Sequence, residues 1–214
     1  MNTKQTVGYV SVSALAAGMA QGAVVYSGSL DAQQTYTESV YRQGVDMTGD
    51  SFNDFTFGYD GSAQKPYIDT RTAIGLDAQS GAVDILGQGD SGLPVTPAGT
   101  MIDAAYESLN PVIAGDRGYL YQNDSEAVVG DWPANAVTEG FVGVKLTLSG
   151  QTHYGWLRLL NNPTSNPQSL TLRDWAYEST PNLGIETTVV PEPSAAALAG
   201  LAAALALAAR RKQD

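Results

Sequence analysis

The alternation between Phe141 and Leu148 constrains this chain most. Val142, Val144, Leu146 and Leu148 fall on one side of an extended backbone, with Lys145 and Thr147 on the other. Successive side chains of a strand point to opposite faces, so a period of two predicts a strand with one buried face. Ser149-Gly150-Gln151 then predicts a turn, with a glycine free to take positive φ. Thr152 to Leu159 returns as the partner strand. A third strand, Leu170 to Glu178, comes after a polar Asn-Pro loop. Together they predict a meander at the end of an antiparallel β-sandwich or jelly roll.

The preceding stretches have the same texture. Short runs of Val, Ile, Tyr, Thr and Phe alternate with clusters of Gly, Asp, Asn, Ser and Pro, and no window carries a helical period. Strands are expected from Val24 to Ser27, Gln34 to Arg42, Phe52 to Tyr59 and Thr72 to Leu76. Ser80 to Gly99 is glycine-rich with few large side chains, and reads as loop or irregular edge. Ala104 to Leu109 fits a helical turn or a strand.

Both ends differ from this texture. Met1 to Ala23 has a basic start at Lys4, a short apolar run from Val7 to Ala17 and small residues at Gly18-Met19-Ala20. That order predicts a secretory signal peptide over residues 1–23, cut after Ala20 or Ala23. A buried first strand is the alternative, since Val7, Tyr9 and Val10 are good strand formers. At the other end, Val189 to Asp214 reads V-V-P-E-P-S, then an alanine-leucine run, then Arg210-Arg211-Lys212. Fifteen to sixteen helical residues rise roughly 24 Å, against a hydrocarbon core of roughly 30 Å. The length is marginal, but a basic triplet is what holds a single span on the cytoplasmic side. Pro191 and Pro193 break the helix outside the membrane and leave an extended backbone. The chain therefore divides into a signal at 1–23, an extracytoplasmic all-β domain at 24–188, and a tail with one transmembrane helix at 189–214.

This tail resembles the PEP-CTERM sorting signal of Gram-negative exported proteins. The matching residues are Pro191, Glu192 and Pro193, then Ser194 to Ala209, then Arg210, Arg211 and Lys212, about an eighth of the chain. The resemblance implies recognition by an exosortase, a membrane-embedded cysteine protease or transpeptidase that cuts near the Pro-Glu-Pro. It implies transient anchoring in the inner membrane, then release to the outer envelope or the exterior. A plain C-terminal anchor with a proline-rich stalk is the alternative. The set F-V-G-V-K, H-Y-G-W-L and D-W-A-Y-E, with a Pro and an Ile before the tail, is similar to a recurrent C-terminal β module of such proteins. Its residues read as structural: Gly155 for close strand packing, and Trp156, Trp175 and Tyr177 for core area.

Composition narrows the function. The net charge is −11. Lys4, Glu192, Arg210, Arg211, Lys212 and Asp214 lie in the end segments, which leaves seven basic and twenty acidic residues between them. Such a surface repels nucleic acid and anionic headgroups. With no cysteine there is no disulfide framework and no thiolate metal site. The one histidine, His153, sits next to Tyr154 inside a predicted strand, where a hydrogen-bonded strand histidine is the expectation. No nucleophile elbow, phosphate loop or dinucleotide fingerprint is present. Twenty acids give many carboxylate pairs, and no spacing singles one out for glycoside hydrolysis. No intrinsic catalysis is expected.

One acidic cluster has a spacing of interest. Asp46-Met47-Thr48-Gly49-Asp50-Ser51-Phe52-Asn53-Asp54 places oxygen side chains at alternate positions, which can converge on a hard cation. It resembles the D-x-N-G-D-G-x-x-D calcium loops of β-propeller repeats, departing at Thr48 and Ser51. A structural Ca²⁺ held by Asp46, Thr48, Asp50, the Phe52 carbonyl and Asp54 is one reading. An acidic Asx-turn, its carboxylates bonding backbone N–H groups, is the other.

Three functional classes remain open. The first is an exported envelope or extracellular-matrix protein acting by its presence in extracellular polymer. The second is a carbohydrate-binding sandwich, stacking exposed Trp132, Tyr119 or Tyr121 on polysaccharide; a loop Trp132 folded onto the core is the alternative there. The third is a secreted hydrolase, which requires carboxylates converging in a cleft.

Overall fold

The computed structural model describes residues 23–36, 42–60, 65–70, 82–88, 92–113, 117–121 and 130–188. The expected signal segment, the strand at Thr72–Leu76 and the tail from residue 189 lie outside them. Among the described residues no helix is long and apolar enough to cross a membrane.

The fold is all-β with antiparallel sheets. In chain order the elements are β1 (Val24–Tyr26), β2 (Ala32–Thr35), β3 (Arg42–Val45), β4 (Phe55–Asp60), β5 (Lys65–Asp69), β6 (Val83–Ile85), β7 (Met101–Ile102), α1 (Ala104–Leu109), β8 (Arg117–Tyr119), β9 (Thr138–Leu148), β10 (Gln151–Asn162), β11 (Ser169–Glu178) and β12 (Ile185–Glu186).

The predicted meander is the backbone of the larger sheet, whose order is β1-β11-β10-β9-β6, with β2 also on β11. Its strands run a few residues beyond the expected limits. Leu148 pairs with Gln151 across a two-residue turn in which Ser149 and Gly150 both have positive φ, 51° and 76°. That sign pattern matches the twist of a hairpin, and glycine adopts it without strain. Val144, Leu146 and Leu157 are fully buried, as the alternation requires. A β-bulge opens between Arg158 and Leu159 opposite β11. There Arg173 turns its carbonyl to the N–H groups of Leu30 and Asp31, and β1 and β2 divide the edge between them.

The second sheet has the order β3-β4-β5-β8. Phe55, Phe57 and Tyr59 alternate along β4 toward the same cluster as Val142, Val144, Leu157 and Leu159, so both sheets bury their inward faces in one core. Gln34 Nε2 donates to Gln43 Oε1 at 2.8 Å and joins β2 to β3. The glycine-rich stretch, expected as loop or irregular edge, contributes a short edge strand. β6 pairs with β9, and Val83 and Ile85 enter the core. Two apolar residues flanking one half-buried acid suffice at a sheet edge, whatever the composition around them.

The outer face of the larger sheet is also covered, against the expectation of one buried face. Along β9 the residues Gly140 to Val144 are all buried. Phe141, Tyr154, Trp156 and Ala176 form a second cluster with Leu86, Ile102 and Ile185, so the short β7–β12 pair lies over this face. Trp156 is thus on the opposite side from Trp175 and Tyr177, which belong to the main core. The stretch Ala104 to Leu109 is helical. Asp103 caps it, its Oδ1 accepting from the Ala105 and Tyr106 N–H groups at 2.9 Å each. Gly143 lets it approach, since a Cβ there would lie 2.8 Å from Tyr106 Cε1.

Candidate functional site

The acidic loop joins β3 to β4, and its carboxylates close it from within. Asp46 is nearly buried; its Oδ1 accepts from the Gly49 N–H at 2.6 Å and its Oδ2 from Ser51 at 2.8 Å. Asp54 is fully buried; its Oδ2 accepts from the Met47 and Thr48 N–H groups at 2.7 Å each, and Thr48 Oγ1 donates to its Oδ1 at 3.3 Å. Asp50 is exposed and accepts from the Phe52 N–H at 2.9 Å. The structure thus brings Asp46, Thr48 and Asp54 into one turn, while Asp50 serves its own. Among the described residues no three His, Cys, Asp or Glu side chains stand together as a metal-ligating group. Backbone N–H groups bond Asp46, Asp50 and Asp54, the pattern that an Asx-turn uses.

This arrangement gives a prediction that separates the two readings. Asp54→Ala strands two inward N–H groups and should cost about 3 kcal/mol, from roughly 1–3 per unsatisfied buried group. Asp50→Ala should cost far less, because its contact is exposed. The melting temperature of residues 24–188 should be the same in EGTA and in millimolar calcium. A calcium-dependent rise of several degrees that Asp50→Ala abolishes would establish the ion instead.

The aromatic residues expected to stack on sugar are mostly inside. Trp132 is 1% exposed, and its indole N–H donates to the Pro94 carbonyl at 3.3 Å. Tyr121 is buried in the same core, and burial pushes its hydroxyl up to about 12. Tyr119 is half-buried, edge-on to Tyr67. Arg117 lies over the Tyr67 ring and binds Asp69 Oδ2 through Nε and Nη2 at 2.9 and 2.8 Å. Trp132 is the loop tryptophan folded onto the core, and Tyr121 is corrected from a surface platform to a core residue. A loop next to the core gains more by burying an indole than by exposing it. His153 is buried and its Nδ1 lies 2.9 Å from the Glu178 carbonyl, the hydrogen-bonded strand histidine anticipated.

Two polar constellations on the outer face of the larger sheet were not anticipated. Asp174 is fully buried and takes Arg158 in a fork, Nε to Oδ1 at 2.8 Å and Nη2 to Oδ2 at 2.6 Å. The Tyr26 hydroxyl adds a third bond to Oδ2 at 2.8 Å. Burial pulls the Arg158 pKa down, but Asp174 outweighs it and the net shift is upward. Beside it, Glu107 of α1 receives Lys145 Nζ at 2.6 Å and the Tyr154 hydroxyl at 2.8 Å. Burial raises the Glu107 pKa, yet both hydrogen bonds and the Lys145 charge hold it below its usual range. A depressed carboxyl stabilises above its unfolded pKa, and that contribution is lost as pH falls through the folded one. Arg158 and Asp174 lie within or next to the quoted H-Y-G-W-L and D-W-A-Y-E motifs. No periodicity shows that two outward charges will pair under a cover.

The described chain ends in a lock beside these groups. Thr187 is fully buried. Its N–H donates to the Thr100 carbonyl at 2.8 Å and its carbonyl accepts from Gly99 at 2.7 Å. Its Oγ1 accepts from the Thr100 N–H at 2.9 Å and donates to the Pro97 carbonyl at 2.7 Å. Thr188 is exposed. The adjoining tail decides the assignment: residues 189–212 match the family model of the PEP-CTERM protein-sorting motif. The chain carries a PEP-CTERM sorting motif. The match takes in Pro191, Glu192, Pro193, Arg210, Arg211 and Lys212 and is consistent with an exosortase substrate. The motif implies exosortase as processing partner and export with a C-terminal membrane-anchoring signal. No curated protein and no solved structure matches the chain.

Proposed function

We propose that this is an exported envelope or extracellular-matrix protein, delivered by an exosortase and acting by its presence rather than by catalysis. The single observation that carries this reading is the sorting motif at residues 189–212. The folded part is read as a β-sandwich, supported by two antiparallel sheets sharing one core. Its acidic surface favours solubility and repels nucleic acid, which suits residence in extracellular polysaccharide. Intact-mass analysis of envelope and secreted material from the native host tests it. The expected species lacks both the signal segment and the residues beyond the Pro-Glu-Pro. Full-length chain in the cytosol would overturn it.

A further inference from the structure

The Thr187 lock limits how far the domain can stand from its own sorting motif. Ile185 packs with Ile102 and Trp156, and the Trp156 indole donates to the Glu186 carbonyl at 3.1 Å, so the chain is fastened through Thr187. Six residues, 188–193, separate the lock from the apolar run that starts at Ser194. Fully extended they reach roughly 20 Å. A domain of this size has a radius of gyration of about 15 Å. When the run is in the membrane, the domain is thus held close to it by the side that carries Pro97 to Met101.

That side has a distinct surface. Pro97, Ala98 and Gly99 are exposed. Met101 is 48% and Leu183 38% exposed. Met101 leans over the chain beside Leu183: a Cβ on Gly184 would lie 2.9 Å from its sulfur. Asp103 and exposed Glu186 border the pair, and neither 97–103 nor 182–188 contains Lys or Arg. An apolar surface with an acidic rim is repelled by anionic headgroups and complements a protein surface that is apolar with basic groups.

We infer that Met101 and Leu183, rimmed by Asp103 and Glu186, dock on the outer surface of the membrane-embedded enzyme that reads the motif. Processing then depends on a second contact made by the folded domain, besides Pro191-Glu192-Pro193. This rests on the sorting reading, which the experiment checks separately.

Pulse-chase in the native host tracks conversion of the full chain to its processed form. The variants are M101Q/L183Q, M101R/L183R and the triple alanine replacement of Pro191, Glu192 and Pro193. Thermal melts of the full chain in detergent confirm that the paired variants keep their fold, as expected for exposed positions. If both pairs lost the fold, the single changes M101Q and L183Q would be read instead. The glutamine pair should slow processing about tenfold, the effect of losing about 1.4 kcal/mol of contact. The arginine pair should be slower still, because it sets positive charge against a basic partner. Processing of the glutamine pair at the parent rate overturns the docking contact, even while the triple variant stays blocked. An arginine pair faster than the glutamine pair means that the face meets anionic headgroups, which also overturns it. Normal processing of the triple variant removes the sorting reading itself.

Discussion

Replacing Pro191, Glu192 and Pro193 by alanine should abolish processing and leave the chain in the inner membrane. Proline has no N–H donor and disfavours helical conformation in the residue before it, so Pro191 and Pro193 oppose helix formation ahead of the apolar run. A protease must take a non-helical backbone into its active site. Alanine removes both restrictions, and its high helix propensity lets the apolar run extend backward over the same residues. The acidic side chain of Glu192 is lost as well. The alanine-leucine run and Arg210-Arg211-Lys212 are untouched, so anchoring should survive. Membrane fractionation with an antibody to the domain reads the outcome. The mature form should disappear, and the anchored form should accumulate with full anchoring sequence. Release at the parent level would leave only the plain-anchor alternative.

Asp174→Ala should be the most damaging single substitution in the folded part. It removes a fully buried carboxylate and strands a guanidinium whose side chain is 14% exposed, together with the Tyr26 hydroxyl. Removing one partner of a buried ion pair costs about 3–5 kcal/mol, because the other charge stays desolvated. For a domain of this length the melting temperature should fall by about 6–20 °C. Arg158→Met with Asp174→Leu should cost clearly less than Asp174→Ala alone, since neither charge is then left buried. The remaining Arg158–Glu139 contact, at 3.3 Å to a 41% exposed carboxylate, is too solvated to compensate. Equal melting temperatures for parent and Asp174→Ala would show that the fork adds nothing to stability.

Strand existence was legible because it is written in neighbours. Val142, Val144 and Leu146 declare a face by alternation, and Ser149-Gly150 declares a turn by its tolerance of positive φ. β6 was legible only as loop or irregular edge because three residues carry too short a period. Trp132 was ambiguous because a loop residue has no period at all, and only the core beside Pro94 settles where its ring goes.

The acidic loop shows the same division. Its spacing fitted two bonding schemes, a cation or backbone N–H groups. The turn's own φ values, Gly49 at 79° and Ser51 at 74°, go with the amide bonds to Asp46, and spacing alone does not reveal them.

The sequence by itself determined the C-terminal sorting motif, the antiparallel meander and its inward face, since each depends on the order of adjacent residues. Only the tertiary structure decided that the meander's outward face is buried too. Its cover comes from segments distant in the chain: Tyr26 lies 148 residues from Asp174, Glu107 38 from Lys145, and Thr187 87 from Thr100. Alternation reports which side chains share a face, and carries no information on what will come to lie over it.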